Sequence, residues 1–302
     1  MSAFVLAHLS DPHLGPLPRP SLSELAGKRA LGFWNWRRKR RLIHRTDLLA
    51  RIVHDLKAQA PDHIALTGDI VNIALADEFP PARGWLDALG SLEQVTVVPG
   101  NHDAYVRRAA DHRQLHWGAY MRGDDAGPSG EACFPFVRRR GAVALIGLSS
   151  AVPTGPLMAT GQLGAGQLAR LAPLLEQLKT EGLYRIVLIH HPPLSPSSRH
   201  FKRLIDGAAF RDVLARYGAE LVLHGHDHVH SVVWLSGPRE RIPAVGVPSA
   251  SGAADGRHEG AAYNLYRIER HTGGWRCEMA SRGLVADGEK IIEIRRMLLS
   301  GH

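Results

Sequence analysis

Val95-Thr96-Val97-Val98-Pro99-Gly100-Asn101-His102-Asp103 is a short apolar run that stops at a proline and a glycine and hands over to three polar side chains. Such a run, taken from residue 94 to 98, predicts a buried strand, and Pro-Gly predicts the turn that ends it. The pattern recurs. Phe4–Leu9 leads to Ser10-Asp11-Pro12-His13, and residues 63–67 lead to Gly68-Asp69. Residues 185–189 lead to His190-His191-Pro192-Pro193, and residues 220–223 to Gly225-His226-Asp227-His228. Helical stretches lie between: Leu48, Ile52 and Leu56 recur at helical spacing within 45–59, followed by 76–89, 104–121, 166–179 and 208–217. Further strands are expected at 134–137, 143–148, 232–235, 244–247, 263–269 and 275–279, with a Gly-, Asp- and Pro-rich loop over 123–130. Alternating strands and helices predict an α/β layered fold, in which ligands collect beyond the carboxyl ends of the strands.

With 302 residues, 44% apolar and 22% charged, the chain has the composition of a globular protein that buries one large core. No internal repeat or low-complexity linker marks a second domain, so one domain is expected over 1–280, with a tail at 281–302 whose helix or strand character stays open. Residues 15–44 interrupt the alternation. They begin Gly15-Pro16-Leu17-Pro18-Arg19-Pro20, continue as a short amphipathic stretch and end in Phe33-Trp34-Asn35-Trp36-Arg37-Arg38-Lys39-Arg40-Arg41. Insertions this long are usually functional or disordered. Cys133 and Cys277 form no close pair, which argues against a disulfide scaffold or thiolate zinc site and fits a reducing compartment. No apolar run approaches the roughly 20 residues of a membrane span. The N-terminus runs straight into Ser10-Asp11 without a basic n-region or cleavage site, so a cytoplasmic location is expected. A net charge of +8 and a pI near 9.9 favour anionic partners such as nucleotides, nucleic acid or lipid headgroups.

The five strand-end motifs carry the chemistry: Asp11-x-His13, Gly68-Asp69, Gly100-Asn101-His102-Asp103, His190-His191-Pro192 and Gly225-His226-Asp227-His228. Each alone is weak, because most of the 18 histidines in the chain are expected to be surface scatter. Jointly they are specific, since a layered sheet brings strand ends to one rim. Asp, Asn and His supply oxygen and imidazole donors, which suit Mn, Fe, Zn or Co rather than a thiolate-preferring ion. Glycines before Asp69, Asn101 and His226 are expected to let the backbone turn sharply. A central carboxylate can bridge two ions roughly 3.5–4 Å apart.

The order D-x-H, G-D, G-N-H-D, H and G-H-x-H resembles the calcineurin-like metallophosphoesterase superfamily from residue 4 to about 230. That resemblance implies a four-layer sandwich, two mixed β-sheets flanked by helices, and a binuclear centre of two divalent ions. It implies that Asp11, His13, Asp69 and His228 hold one metal, and Asp69, Asn101, His190 and His226 the other, with Asp69 as the bridge. His190 is preferred to its neighbour because Val187-Leu188-Ile189-His190 matches the family's strand-then-histidine pattern. His191 is then expected to support the site or touch substrate. The implied reaction is in-line attack on phosphorus by a metal-bridging hydroxide. His102 is not a ligand in this pattern and is the expected catalytic residue, stabilising the transition state or protonating the leaving oxygen. Asp103 is expected to be structural, capping a following helix. His8 and His224 are expected to orient neighbours, and His8, His224 and His230 all fall outside the ligand set.

Several features bear on the substrate. Gly68-Asp69-Ile70-Val71-Asn72 lacks the acidic and arginine-rich extension of the serine/threonine phosphatases of this superfamily, which argues against a phosphoprotein. The His190-His191-Pro192-Pro193 run resembles bacterial phosphodiesterases that act on cyclic nucleotides or glycerophosphodiesters, so a small anionic phosphodiester is expected. Arg199 and His200, in the basic stretch 197–203, are candidates for binding its non-reacting part. Two alternatives stay open. A DNA nuclease fits Ser10-Asp11-Pro12-His13-Leu14-Gly15 and the basic charge, although no separate DNA-capping domain is apparent. A lipid-linked pyrophosphohydrolase of the nucleotide–diacylglucosamine type fits Trp34, Trp36 and Arg37–Arg41, which have the composition of a contact with anionic membrane. A ligand-free binding scaffold, the one non-enzymatic option, is disfavoured because every expected ligand position is filled.

Overall fold

The computed structural model describes residues 3–25, 27–126, 130–194, 197–254, 259–284 and 290–301, with the backbone alone at 197–199. The chain begins with β1 (Phe4–Leu9), then α1 (Lys28–Asn35), which continues through a π-helical turn (Trp36–Arg40) into the single turn α2 (Arg41–Ile43). Next come α3 (Thr46–Ala58), β2 (His63–Leu66), α4 (Phe79–Leu89), β3 (Val95–Val97), α5 (Ala109–Trp117), β4 (Phe136–Arg140) and β5 (Val143–Gly147). The remainder is α6 (Ala165–Thr180), β6 (Tyr184–Leu188), α7 (Gly207–Tyr217), β7 (Leu221–His224), β8 (Ser231–Leu235), β9 (Ile242–Gly246), β10 (Ala262–His271), β11 (Gly274–Leu284) and β12 (Ile291–Ser300).

These strands form two mixed six-stranded sheets flanked by helices, ordered β12-β11-β10-β1-β2-β3 and β4-β5-β6-β7-β9-β8. β1, β2 and β3 run parallel at one end of the first sheet, and β5, β6, β7 and β9 run parallel in the second. Side-chain alternation explains the layering. Ile186, Leu188, Leu221 and Leu223 join the core that contains Leu6, Leu66 and Val97 of the first sheet. The residues between them, Val187 and Val222, pack instead with Leu171 and Leu175 of α6 and Phe210 and Leu214 of α7. Burying one such leucine contributes about 1.5–3 kcal/mol, so slipping β6 by one residue would forfeit several contacts at once.

Several expected boundaries shift for physical reasons. β4 starts at Phe136 rather than 134, after Pro135, which has no N–H for a ladder. The segment 101–108 is a chain of turns and α5 begins only at Ala109, so Asp103 caps no helix. β11 runs on to Leu284, and the tail forms β12, paired antiparallel along β11. The 15–44 insertion is helical over 28–43.

Backbone hydrogen bonds extend past the strand ends and bind the motif loops to one another. The Asp11 amide donates to Gly68 O at 3.0 Å, His13 N to Asp69 O at 3.1 Å, and Gly225 N to His190 O at 3.1 Å. The two sheets meet at the same rim, where Ala250 N donates to Ser10 O at 2.9 Å and Ser249 Oγ donates to Asp11 O at 2.7 Å.

Candidate metal centre

Asp11, His13, Asp69, His226 and His228 all adopt left-handed backbone, with φ of 54°, 40°, 55°, 71° and 57°. That conformation costs a residue with a side chain about 1–3 kcal/mol and persists only where surrounding contacts enforce it. Its concentration in five motif residues marks the rim as the place where the fold spends stability on geometry. The expected role of the glycines needs correction. Only Gly68, at φ 92°, sits in a turn that favours glycine. Gly100 and Gly225 are required by close approach: a Cβ on the first would collide with the Asp69 carboxylate and amide, and on the second with Ser10 Oγ and the Asp11 carboxylate.

The side chains converge on one cleft. Asp69 Oδ2 lies 3.7 Å from His13 Nε2 and 3.5 Å from His190 Nε2. Asp11 Oδ1 lies 3.0 Å from His228 Nε2 and 3.9 Å from His13 Nε2. On the far side of Asp69, Asn101 Oδ1 is 3.1 Å from His190 Nε2 and 2.8 Å from His226 Nδ1. Outward hydrogen bonds set which nitrogen of each ring faces in. Backbone carbonyls accept from His190 Nδ1 (Thr67 O, 2.6 Å), His226 Nε2 (Lys202 O, 2.9 Å) and His13 Nδ1 (Val71 O, 3.3 Å). Holding the outer nitrogen in this way fixes ring orientation and aims the inner nitrogen into the cleft.

Asp103 anchors the loops behind these donors. Its carboxylate accepts the amides of Asp69, Ile70 and Gly100 at 2.8 Å each and of Val71 at 3.1 Å, joining the second motif to the third. Thr67 is a second anchor, since its carbonyl holds His190 while its hydroxyl lies 2.9 Å from His8 Nε2. This is the orienting role expected of His8.

The electrostatics match a cation site. Burial opposes ionisation of Asp11, but His228, His190 and the Ser10 hydroxyl outweigh it and hold the carboxyl below its ordinary range. Burial likewise opposes Asp69, and His190 and His102 hold it down. Burial, with Arg40 nearby, keeps His13 neutral, and burial beside His191 and His190 does the same for His226. His190 differs: burial disfavours its charge, yet the Asp69 and Asp11 carboxylates push it up to about 10. Ionised carboxylates and neutral imidazoles are the states that bind metal, and the His190 proton is one a cation would release. Ligand atoms of Asp11, His13 and Asp69 lie within 4.8 Å of one another, as do those of His13, His44 and His228 and those of His190, His191 and His226. These oxygen and imidazole donors fit divalent Mn, Fe, Zn or Co.

All seven expected ligands and His102 meet at this cleft, but three expected substrate contacts fare differently. His191 is fully buried, with Nδ1 2.8 Å from Ser150 Oγ and Nε2 3.2 Å from Ala159 O. Both nitrogens are engaged by protein, and its ring lies 4.4 Å from that of His226, so it stands beside the cleft braced against the Ser150 and Ala159 loop. His200 is exposed on the 3-10 turn Ser197–Lys202 and bonds Arg203. The side chain of Arg199 lies outside the described residues.

Two residues were not foreseen. His44 Nδ1 is 3.0 Å from Ser251 Oγ, and its ring lies 4.3 Å from that of His13. Arg40 Nη1 is 2.6 Å from His102 Nε2, and its Nη2 is 2.8 Å from His13 Nε2. Neither sits in a strand-end motif, and their placement depends on how the insertion folds back. Within the basic-aromatic cluster, Trp36 packs on the core and Arg40 turns inward. The outward set is therefore Trp34, Arg37, Arg38, Lys39 and Arg41, not the whole cluster.

The family model for calcineurin-like phosphoesterases matches residues 4–230. A probable cyclic nucleotide phosphodiesterase of Synechococcus sp. (strain WH7803) is 28% identical over 254 residues, covering 81% of each chain. A dimetal phosphatase from Danio rerio superposes with a TM-score of 0.61 at 12% identity, covering 99% of both chains. A purple acid phosphatase from yellow lupin does so with 0.55 at 12% identity, covering 97% of this chain and 53% of the other. The structural likenesses match the fold of two sheets and flanking helices; the family match adds the chemistry, that of a phosphoric ester hydrolase. By its strand-end motifs, their convergence on one rim and this match across three quarters of its length, the chain belongs to the calcineurin-like phosphoesterase family.

Proposed function

We propose that the chain is a two-metal phosphodiesterase acting on a small anionic phosphodiester, a cyclic nucleotide or a glycerophosphodiester. The observation that carries this is the placement of the Asp69 carboxylate between His13 and His190, at 3.7 and 3.5 Å. Asp11, His13, Asp69 and His228 would hold one ion, and Asp69, Asn101, His190 and His226 the other. Two ions so held would supply an activated water and neutralise charge on the phosphoryl oxygens. His102 presents Nε2 to the cleft because Nδ1 donates to the Asn72 carbonyl. Burial and Arg40 push His102 down to about 3, so in the free chain it accepts hydrogen bonds. An anionic phosphoryl group beside it would restore the proton that an acid role toward the leaving oxygen requires.

The choice of a diester is supported by the relative named as a probable cyclic nucleotide phosphodiesterase. The segment after Asp69 agrees: Ile70 and Val71 are buried, and Asn72 Nδ2 is tied to Leu14 O at 2.7 Å, so it offers no phosphopeptide contact. The chain, stripped and reconstituted with manganese, should hydrolyse bis-p-nitrophenyl phosphate faster than p-nitrophenyl phosphate. Asp69→Ala and Asn101→Ala should each lower the diester rate by at least ~100-fold. Preference for the monoester would make the protein a phosphatase instead.

One observation favours a second substrate, a lipid-linked pyrophosphate. The outer face of the 28–43 helix leaves Trp34 59%, Leu42 66% and Leu31 49% exposed beside exposed Arg37, Arg38, Lys39 and Arg41. Among the described residues no helix is long and apolar enough to cross a membrane, so contact would be at the surface. The chain should then co-sediment with anionic phospholipid vesicles at low salt, and Trp34→Ala combined with Arg38→Glu should abolish it. Failure of the unaltered chain to sediment would end this reading.

A further inference from the structure

Arg37 to Arg41 are five basic residues in a row, yet only Arg40 is withdrawn from the exposed surface. It lies one turn beyond Trp36, on the face that packs against the core. The helix that carries it is clasped at both ends. At the start, Lys28 Nζ donates to Thr154 Oγ1 at 2.7 Å and to Met158 O at 3.1 Å, and Arg29 Nε donates to Ile73 O at 3.2 Å. Gly32 lies so close to the Tyr105 hydroxyl and the Ile73 side chain that a Cβ would collide with both. At the end, Ala253 N donates to Ile43 O at 2.8 Å and Arg45 N to Ser251 O at 2.9 Å. The segment therefore spans the cleft as a fixed strap, and Arg40 is the side chain it sends inside.

The contacts of Arg40 are unusual for a cation drawn out of solvent. Its donors meet the rings of His102 and His13, at 2.6 and 2.8 Å, and no described carboxylate pairs with it. Withdrawing a guanidinium from water is costly unless an anion compensates. Two imidazoles do not supply one, the Asp69 and Asp11 carboxylates favour its charge only through space, and His13 Nε2 cannot serve both an arginine donor and a metal ion. A planar fork at this position matches two oxygens of a phosphoryl group.

We propose that Arg40 is a substrate-binding residue, engaging the non-bridging phosphoryl oxygens from the strap, beside His102 and His13. The insertion thus completes the site as well as covering it. This rests on the phosphoesterase reading of the cleft but makes a separate claim.

Inorganic phosphate is the probe, titrated calorimetrically into the full manganese-reconstituted chain and its Arg40→Met and Arg40→Lys variants. Manganese content and thermal melting are measured on the same samples. Arg40→Met should bind phosphate at least ~10-fold more weakly, in keeping with loss of a charge-assisted hydrogen bond. Arg40→Lys should fall between, and both should keep the manganese content of the parent. The kcat/KM for bis-p-nitrophenyl phosphate should fall in parallel. Phosphate affinity in Arg40→Met within about twofold of the parent would overturn the proposal. So would loss of manganese from both variants, which would make Arg40 a support for the ligands. If the parent hydrolyses no diester, the phosphodiesterase reading fails, while the phosphate titration still decides the role of Arg40.

Discussion

Asp103 accepts four backbone amides, from Asp69, Ile70, Val71 and Gly100, and touches no expected ligand side chain. Burial and the neighbouring Asp69 charge push it up to about 7, against the pull of those amides. An amide at this position would offer one accepting oxygen and turn an NH2 group toward N–H donors. Asp103→Asn should therefore cost about 2–4 kcal/mol in urea unfolding and weaken manganese binding. Asp111→Asn, at an exposed site on α5, should change stability by less than about 0.5 kcal/mol. Equal effects would contradict the clamp. At this scale the residues that meet at the cleft were legible, because Asp, Asn and His directly after an apolar run announce both their chemistry and their rim position. The support role of Asp103 was legible only in outline, and its mechanism was not. Four amides from two separate loops cannot be inferred from a residue's neighbours in sequence. The same holds for His191, whose partners Ser150 and Ala159 lie about 32 to 41 positions away.

Among the elements, α3 shows how a helix is locked to a sheet. Its buried face, Leu48, Leu49, Ile52 and Leu56, follows the predicted spacing. On the partly exposed side, Asp55 accepts Arg282 Nε and Nη2 at 2.8 Å each and the Tyr263 hydroxyl at 2.6 Å, linking α3 to β10 and β11. Burial alone would raise the Asp55 pKa, but Arg282 and Tyr263 outweigh it and leave it lowered. A carboxyl depressed in the folded state adds stability that is present above its unfolded value, about 3.9, and is lost as pH falls through the folded value. Asp55→Asn should lower stability by about 1 kcal/mol at pH 7. Chemical denaturation across pH should show parent and variant converging below the unfolded value; a constant gap would contradict the assignment. Apolar periodicity made α3 legible, whereas this anchor was hidden because Arg282 falls more than 200 positions later. The helix over 28–43 was legible only as an amphipathic fragment. Its Pro-rich start and run of basic residues gave no sign that the segment would be pinned by Ile73, Thr154 and Ser251.

The whole molecule is built so that two parallel strand groups, β1-β2-β3 and β6-β7, end at one rim, where each contributes Asp, Asn or His side chains to one cleft. The five strand-then-motif units made that convergence readable, since a layered α/β fold gathers carboxyl strand ends. The edge strand β12 was not readable, because Ile291–Ser300 mixes apolar and charged residues with no clear period. The central claim is that both donor sets hold a cation and that Asp69 joins them. Manganese titration into the metal-free chain, followed by calorimetry and elemental analysis, tests it most directly. The account predicts two ions per chain, one in Asn101→Ala, and severe weakening of both sites in Asp69→Ala. A single ion in the unaltered chain, or two ions retained by Asp69→Ala, would contradict it.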